Sequence, residues 1–314
     1  MTAIGTSTGS DTDTGTGSAL ERFAAIFGAD AARQVEFSFS ARADTYGTGI
    51  PGAGAGFWER VRRFAAPCAF AGAWVRAVDR LLSRLQPPSF FFKVDWAHER
   101  ALRITIYFRF EAPVDEAALH GALAEAAPLV WAGPPAHRLG RCLGEPAPFI
   151  IGFRTGLDGH QVAMYYRIRA TRARFMAASL PALARELSLP PTLPETVAGT
   201  LDGVFGFGAP SIIGIDSARG AEPGQLKLDV AGVPVSDALH WISAHGAGSE
   251  RIHALGAIAR AMRIEMLSYC GAKVGAEGML GWKLYMPARP TARIAAAPRI
   301  RFGDDQRRIA GVLW

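Results

Sequence analysis

Apolar and polar residues alternate strictly in several short stretches of the chain. Residues 102–110 set Leu102, Ile104, Ile106, Phe108 and Phe110 against Arg103, Thr105, Tyr107 and Arg109. In 162–169, Val162, Met164, Tyr166 and Ile168 alternate with Ala163, Tyr165, Arg167 and Arg169. Leu226, Leu228 and Val230 alternate with Lys227, Asp229 and Ala231, and Trp282, Leu284 and Met286 with Gly281, Lys283 and Tyr285. Earlier, Val35, Phe37, Phe39 and Ala41 alternate with Glu36, Ser38, Ser40 and Arg42. A period of two marks strands with one greasy and one polar face.

These strands belong to a repeat. FFFKVDWAHERALRITIYFRF (90–110), FIIGFRTGLDGHQVAMYYRIR (149–169), SIIGIDSARGAEPGQLKLDVAG (211–232) and YCGAKVGAEGMLGWKLYMP (269–287) each read as a β-rich run, a polar turn and a second β-rich run. That is a hairpin pattern. Aligning the second strands places Arg103, Ala163, Lys227 and Lys283 in register, at intervals of 60, 64 and 56 residues. VEFSFSARA (35–43) is a candidate first, divergent unit. The segments between hairpins are helical in pattern: 57–85 with a break near Pro67, then 115–131, 171–187, 194–205 and 236–268. Asp115 and Ser236 are candidate N-caps, and Pro190-Pro191 stops the third segment. Gly47 to Gly56 (GTGIPGAGAG) reads as a linker or flexible flap, because it lacks the third spaced glycine and the preceding strand of a dinucleotide loop.

Two architectures accommodate such units: an open sheet with helices on one side and water on the other, or a barrel jacketed by helices. Evenly interleaved helices and a polar face that repeats Tyr with Arg or Lys favour the closed barrel, which also removes exposed strand edges. Its lumen would then be polar, and buried cations there require an anion. A diphosphate suits them, since arginine forks bind phosphate oxygens and lysine supplies a point charge. Tyrosine rings among them could also cover a cation.

Bulk properties narrow the picture further. The chain of 314 residues is 49% hydrophobic, with 34 Lys and Arg against 28 Asp and Glu, a formal charge of +6. This fits a soluble globular core with a modest preference for anions. Cys68, Cys142 and Cys270 are sparse and unpaired in spacing, which predicts free thiols in a reducing cytoplasm. Neither a secretory leader nor a membrane span is expected. Residues 1–18 are expected to form a disordered leader, 19–290 one barrel domain, and 291–314 a tail.

The set resembles the ABBA, or PT-barrel, aromatic prenyltransferases. KVDWAHERALRITIYFR (93–109) is similar to a hairpin of bacterial phenol and indole members. GFRTGLDGHQVAMYYRI and GIDSARGAEPGQLKLDV are closer to hairpins of cyanobactin peptide prenyltransferases. The likeness spans about residues 35–287 and implies a ten-stranded antiparallel barrel of repeated helix-helix-strand-strand units. It further implies Glu36 as the carboxylate acting on the acceptor, with Arg103, Lys227, Lys283 and Lys93 binding diphosphate. Arg167 would replace the basic residue missing at Ala163. Tyr107, Tyr165 and Tyr285 would shield the allylic cation from water.

The implied reaction moves a dimethylallyl or geranyl group from its diphosphate, with Mg2+ a candidate companion of the donor. The implied acceptor is an aromatic or other electron-rich side chain of a ribosomal peptide, or else a small phenol, indole or phenazine. A peptide would enter where glycine-rich 47–56 leaves one barrel mouth open. A non-catalytic barrel that holds a lipid or anionic ligand is the alternative from another class. No Asp-rich terpene-cyclase cluster, zinc-hydrolase spacing, GxSxG elbow or RNP-like motif is present, so no nucleic-acid partner is expected.

Overall fold

The alternation folds as strands wherever Ile, Phe and Val can share one face. The computed structural model describes residues 18–28, 34–40, 45–97, 100–126, 129, 131–205, 211–216, 225–275 and 278–287. Its strands are β1 (Gln34–Ser40), β2 (Thr45–Gly52), β3 (Ser89–Ala97), β4 (Arg100–Arg109), β5 (Ile150–Gly156), β6 (Gly159–Arg167), β7 (Ile212–Asp216), β8 (Gln225–Pro234), β9 (Met266–Gly275) and β10 (Gly278–Pro287). Each pairs antiparallel with its chain neighbours, and β1 pairs with β10, so the sheet closes on itself. The strand ends that lead into the hairpin turns therefore lie at one mouth of the barrel, and those that lead to the helices at the other. The leader up to residue 17, the tail, and Ala41 and Arg42 of the first polar-apolar stretch fall outside the described residues.

The helices form the jacket. α1 (Ala19–Phe27) precedes the first hairpin, and α2 (Gly54–Ala65) with α3 (Gly72–Leu85) precedes the second. α4 (Glu116–Glu125) and α5 (Ala136–Leu143) precede the third. The fourth follows α6 (Arg172–Arg174), a π turn over Phe175–Ser179, α7 (Leu180–Glu186) and α8 (Leu193–Phe205). α9 (Val235–Ala244) and α10 (Ser249–Ala261) precede the last. Asp115 caps α4 as expected, accepting from the Ala118 amide at 2.8 Å. Ser236 does not cap α9. The N-cap position belongs to Pro234, and the Ser236 hydroxyl donates to Asp237 at 3.0 Å. The 236–268 segment divides into α9, α10 and the start of β9. α1 and α5 were not legible, since helices of 9 and 8 residues show too few turns of pattern.

The apolar strand faces meet the helices. Ile104, Ile106, Phe108, Phe153 and Phe92 have no exposure at all. Phe23 and Phe64 of α1 and α2 meet Trp96 edge-on, with ring centres 5.5 and 6.1 Å apart. Trp74 of α3 donates its indole N–H to the Phe153 carbonyl at 3.2 Å. Each large side chain buried here contributes about 1.5–3 kcal/mol of transfer free energy, so the apolar parity set is held firmly outward.

Glycine-rich 47–56 is not a linker. It supplies β2 and the start of α2, completing the first repeat and closing the barrel between β1 and β3. The reason lies across the strand. A Cβ on Gly47 would sit 2.9 Å from Asp95 Oδ1, and one on Gly49 would sit 2.1 Å from the Phe91 ring. Glycine gives the large β3 side chains room to lie over β2, and pairing on both sides supplies the strand order that glycine lacks by itself. Among the described residues no helix is long and apolar enough to cross a membrane. The three cysteines are free thiols.

Candidate active site

Inside the barrel the polar parity set converges on two carboxylates. Glu36 of β1 accepts from Lys93 Nζ of β3 at 2.6 Å and from Ser38 Oγ at 2.6 Å, and pairs with Lys283 of β10. Lys93 also reaches Asp95 at 2.8 Å. Strand β2 lies between β1 and β3, and the Lys93–Glu36 pair bridges it over Gly47. The second centre is Asp216 of β7, paired with Lys227 of β8 at 2.7 Å and Lys273 of β9 at 3.4 Å. Lys227 donates onward to the Tyr165 hydroxyl at 3.2 Å.

Burial dominates the electrostatics and the ion pairs redirect it. Burial opposes a charged Glu36, but Lys283 and Lys93 overcome it and hold the carboxyl well below its ordinary value. Asp216 is likewise held below the usual range, because Lys227, Arg154 and Lys273 outweigh its burial. Asp229 has no such clamp. Burial pushes its carboxyl up to about 6, against the pull of Lys283. Lys273 falls to about 8, through burial and the neighbouring charges of Lys227, Arg154 and Lys283 despite Asp216.

An aromatic layer lies beside the ion pairs, toward the helical-connection mouth. Tyr107 and Tyr165 meet edge-on at 5.8 Å, Phe91 approaches Tyr107 at 6.0 Å, and Tyr269 meets Tyr285 at 6.0 Å. Lys227 lies 5.5 Å from the Tyr165 ring centre and Lys283 lies 5.9 Å from that of Tyr285. Burial raises the phenols of Tyr107, Tyr165 and Tyr285, that of Tyr107 to about 12, so their hydroxyls stay protonated and can donate. Arg154 Nε, Thr105 Oγ1 and Asp229 Oδ1 are buried without a hydrogen-bond partner, which marks the lumen as a place for a polar ligand.

This geometry invites comparison with known proteins. The chain matches 5-dimethylallyltryptophan synthase from Streptomyces coelicolor with a TM-score of 0.63 at 16% identity, over 88% of this chain and 93% of that one. AnaPT from Neosartorya fischeri gives 0.60 at 12% identity, over 83% and 79%. The 6-dimethylallyltryptophan synthase from Micromonospora olivasterospora, solved with DMASPP and Trp, gives 0.58 at 12%, over 89% and 97%. The fold is the PT-barrel. No protein-family model and no curated protein matches the chain by sequence, so the likeness is one of architecture.

The PT-barrel register separates the residues that the sequence grouped. Glu36, Lys93, Lys227 and Lys283 come together in the lumen, with Tyr107, Tyr165 and Tyr285 beside them. Arg103 does not join them. It lies one layer nearer the turns, opposite Asp95 and Gly156, and pairs with Asp158 at 3.1 Å with its side chain 37% exposed. Thr105, paired with Lys93, is the true counterpart of Ala163, Lys227 and Lys283, which pair with Gly152, Gly214 and Gly271. Arg167 lies at the other mouth, exposed, 4.7 Å over the Phe149 ring. Arg154, Asp216, Lys273 and Asp95 were missed, although parity could have found them. In β5, Gly152 and Arg154 alternate with Ile151 and Phe153; in β7, Gly214 and Asp216 alternate with Ile213 and Ile215.

The charge balance also differs from expectation. Lys93, Arg154, Lys227, Lys273 and Lys283 are offset by Glu36, Asp95, Asp216 and Asp229, so the chain supplies most of the counter-charge itself. A ligand anion adds to a network that is already paired. Such a preorganised network resists reorientation, which is what charge stabilisation in a dry site requires.

Proposed function

We propose that this protein is an aromatic prenyltransferase, moving a dimethylallyl or geranyl group from its diphosphate to the indole ring of tryptophan, free or in a peptide. The observation that carries this reading is the buried cluster of Lys93, Lys227, Lys283 and Arg154 beside a layer of tyrosines. Cations of that kind stabilise a departing diphosphate, and aromatic faces stabilise the allylic cation while excluding water. Glu36 keeps a lone pair on Oε2 beyond its bond to Lys93, enough to accept the indole N–H.

Two observations bear on the acceptor. Structural neighbours that carry DMASPP with Trp support an indole ring. The likeness of the β5–β6 and β7–β8 hairpins to cyanobactin enzymes supports a tryptophan held in a peptide. The glycine-rich mouth gives that second reading no help, because Gly47 and Gly49 sit in a paired strand.

The test is incubation of the purified protein with dimethylallyl and geranyl diphosphate, offering L-tryptophan, a tryptophan-containing peptide and a phenol. Mass spectrometry should find a prenylated indole. An arm with EDTA decides whether Mg2+ must accompany the donor; among the described residues no group of three or more His, Cys, Asp or Glu could hold a metal. Donor binding with neither transfer nor hydrolysis would establish the non-catalytic barrel instead.

Donor binding should depend on pH through Lys273. Its ammonium is charged below about 8 and loses the proton above it, so the lumen carries one positive charge fewer in mild base. Affinity for dimethylallyl thiolodiphosphate should weaken several-fold between about pH 7 and pH 9, the scale of one charge-assisted contact. Lys273→Met should bind more weakly at pH 7 and show a flatter profile. An identical slope in parent and variant would assign the titration elsewhere.

A further inference from the structure

The hydrogen-bond register exposes a break in the repeat. Tyr107 of β4 lies opposite Gly152 of β5, and Tyr165 of β6 lies opposite Gly214 of β7. Each tyrosine leans over its glycine, where an added Cβ would fall 3.0 Å from the Tyr107 ring and 2.6 Å from the Tyr165 ring. At the next such interface Asp229 of β8 lies opposite Gly271 of β9, and a Cβ there would meet Asp229 Oδ1 at 2.0 Å. The last interface returns to tyrosine, Tyr285 opposite Glu36. Of the five interfaces of this kind, three carry tyrosine, β2–β3 carries Gly49 opposite Lys93, and β8–β9 carries a carboxylate.

We propose that Asp229 takes the ring proton of the acceptor during prenyl transfer. This rests on the prenyltransferase reading above and adds to it a base that the reading does not name. Asp229 is 6% exposed, and its Oδ1 has no hydrogen-bond partner. Glu36, by contrast, is engaged by Lys93, Lys283 and Ser38, which makes it a poor proton acceptor. The groups that act on Asp229 are Lys283 of β10, Glu36 of β1, Lys227 on its own strand and Lys93 of β3. Tyr165 of β6, Tyr285 of β10 and Cys270 of β9 feel its charge in turn. Burial outweighs the three lysines and raises the carboxyl to about 6, close to the value at which a general base works best at neutral pH.

The step balances without further reagents. The allylic C–O bond breaks and its electron pair leaves with the diphosphate. A ring carbon forms the new C–C bond, giving an arenium cation. The proton on that carbon passes to the Asp229 carboxylate, and the C–H electron pair restores the aromatic ring.

The experiment uses the full chain with dimethylallyl diphosphate and L-tryptophan, with and without deuterium on the ring. The parent should transfer the prenyl group, with a rate that falls as pH drops through about 6. Asp229→Asn should lose about 100- to 10,000-fold in transfer, flatten that limb and acquire a deuterium isotope effect. Its binding of dimethylallyl thiolodiphosphate should persist. Asp229→Tyr, which places here the residue found at three of the other interfaces, should also bind donor without transferring. Thermal unfolding checks that the variants fold: removing a buried charge should raise the melting temperature of Asp229→Asn at pH 8 more than at pH 5. An Asn variant with parental rate and acid limb overturns the assignment of Asp229 alone. A parent that transfers nothing to tryptophan overturns the indole reading on which it rests.

Discussion

Glu36→Gln should unfold well below the parent protein and yet still bind an isoprenoid diphosphate. The substitution keeps the shape of the side chain and removes the charge shared by Lys93 and Lys283. Two ammonium groups are then left buried, with Asp95 partnering Lys93 alone. Breaking one side of a buried ion pair costs about 3–5 kcal/mol, because the orphaned charge keeps its desolvation penalty. Donor affinity should hold or tighten, since the lumen has become more positive and the diphosphate can take over the role of counter-ion. Transfer should fall, because a neutral amide oxygen accepts the indole N–H more weakly than a carboxylate does, while slow hydrolysis of the donor continues.

The pH dependence of this loss has a definite sign. The folded Glu36 carboxyl lies well below its ordinary value, so its stabilisation is complete above the unfolded value of about 4.3 and disappears as pH falls through the folded one. Parent and variant should therefore converge in strong acid and differ most at neutral pH. Equal urea midpoints at pH 7 would show that the Glu36 cluster carries no net stability.

The second large effect lies at Asp216. Lys227→Met removes a cation that is 2% exposed and leaves a carboxylate 1% exposed with Lys273 as its remaining ion-pair partner at 3.4 Å. A loss of about 3–5 kcal/mol follows from the same asymmetry. Asp216→Asn alone should be costly for the converse reason. The double variant should recover much of the loss, since neither charge is then stranded. A double-mutant cycle in urea reads the coupling, and additivity within about 0.5 kcal/mol would mean that the two groups do not act as a unit. Donor affinity should drop in both variants that lack Lys227, and calorimetry with dimethylallyl thiolodiphosphate separates that effect from stability.

These two centres show why the paired lumen is more than a charged cavity. Each lysine expected to face a diphosphate already holds a carboxylate, and Lys227 also holds a tyrosine hydroxyl. The geometry of the cations is thus set before any ligand arrives. Mutational loss at one member propagates to the others through shared partners, so single-residue effects on binding and on stability will not be independent.

Much of this architecture follows from the sequence alone, for a local reason. Strand parity needs no knowledge of neighbours: Ile104, Ile106 and Phe108 must share a face, and Thr105 with Tyr107 must share the other. Repetition of that pattern with helices between was enough to imply hairpins, a closed barrel and a polar lumen containing Glu36, Lys227 and Lys283. Depth along each strand and register between strands are not local. Arg103 and Arg167 share the inward parity of Thr105 and Tyr165, but their positions near opposite mouths expose them to solvent. Only the cross-strand hydrogen bonds reveal that Thr105, not Arg103, stands level with Lys227. The fate of glycine-rich 47–52 was equally a tertiary decision, because Phe91 and Asp95 need the space that Gly49 and Gly47 leave. The carboxylate of Asp229, whose Oδ1 has no hydrogen-bond partner, is the clearest case. Sequence places it on the polar face, but only the closed barrel shows that Lys93, Lys227 and Lys283 are paired with other carboxylates.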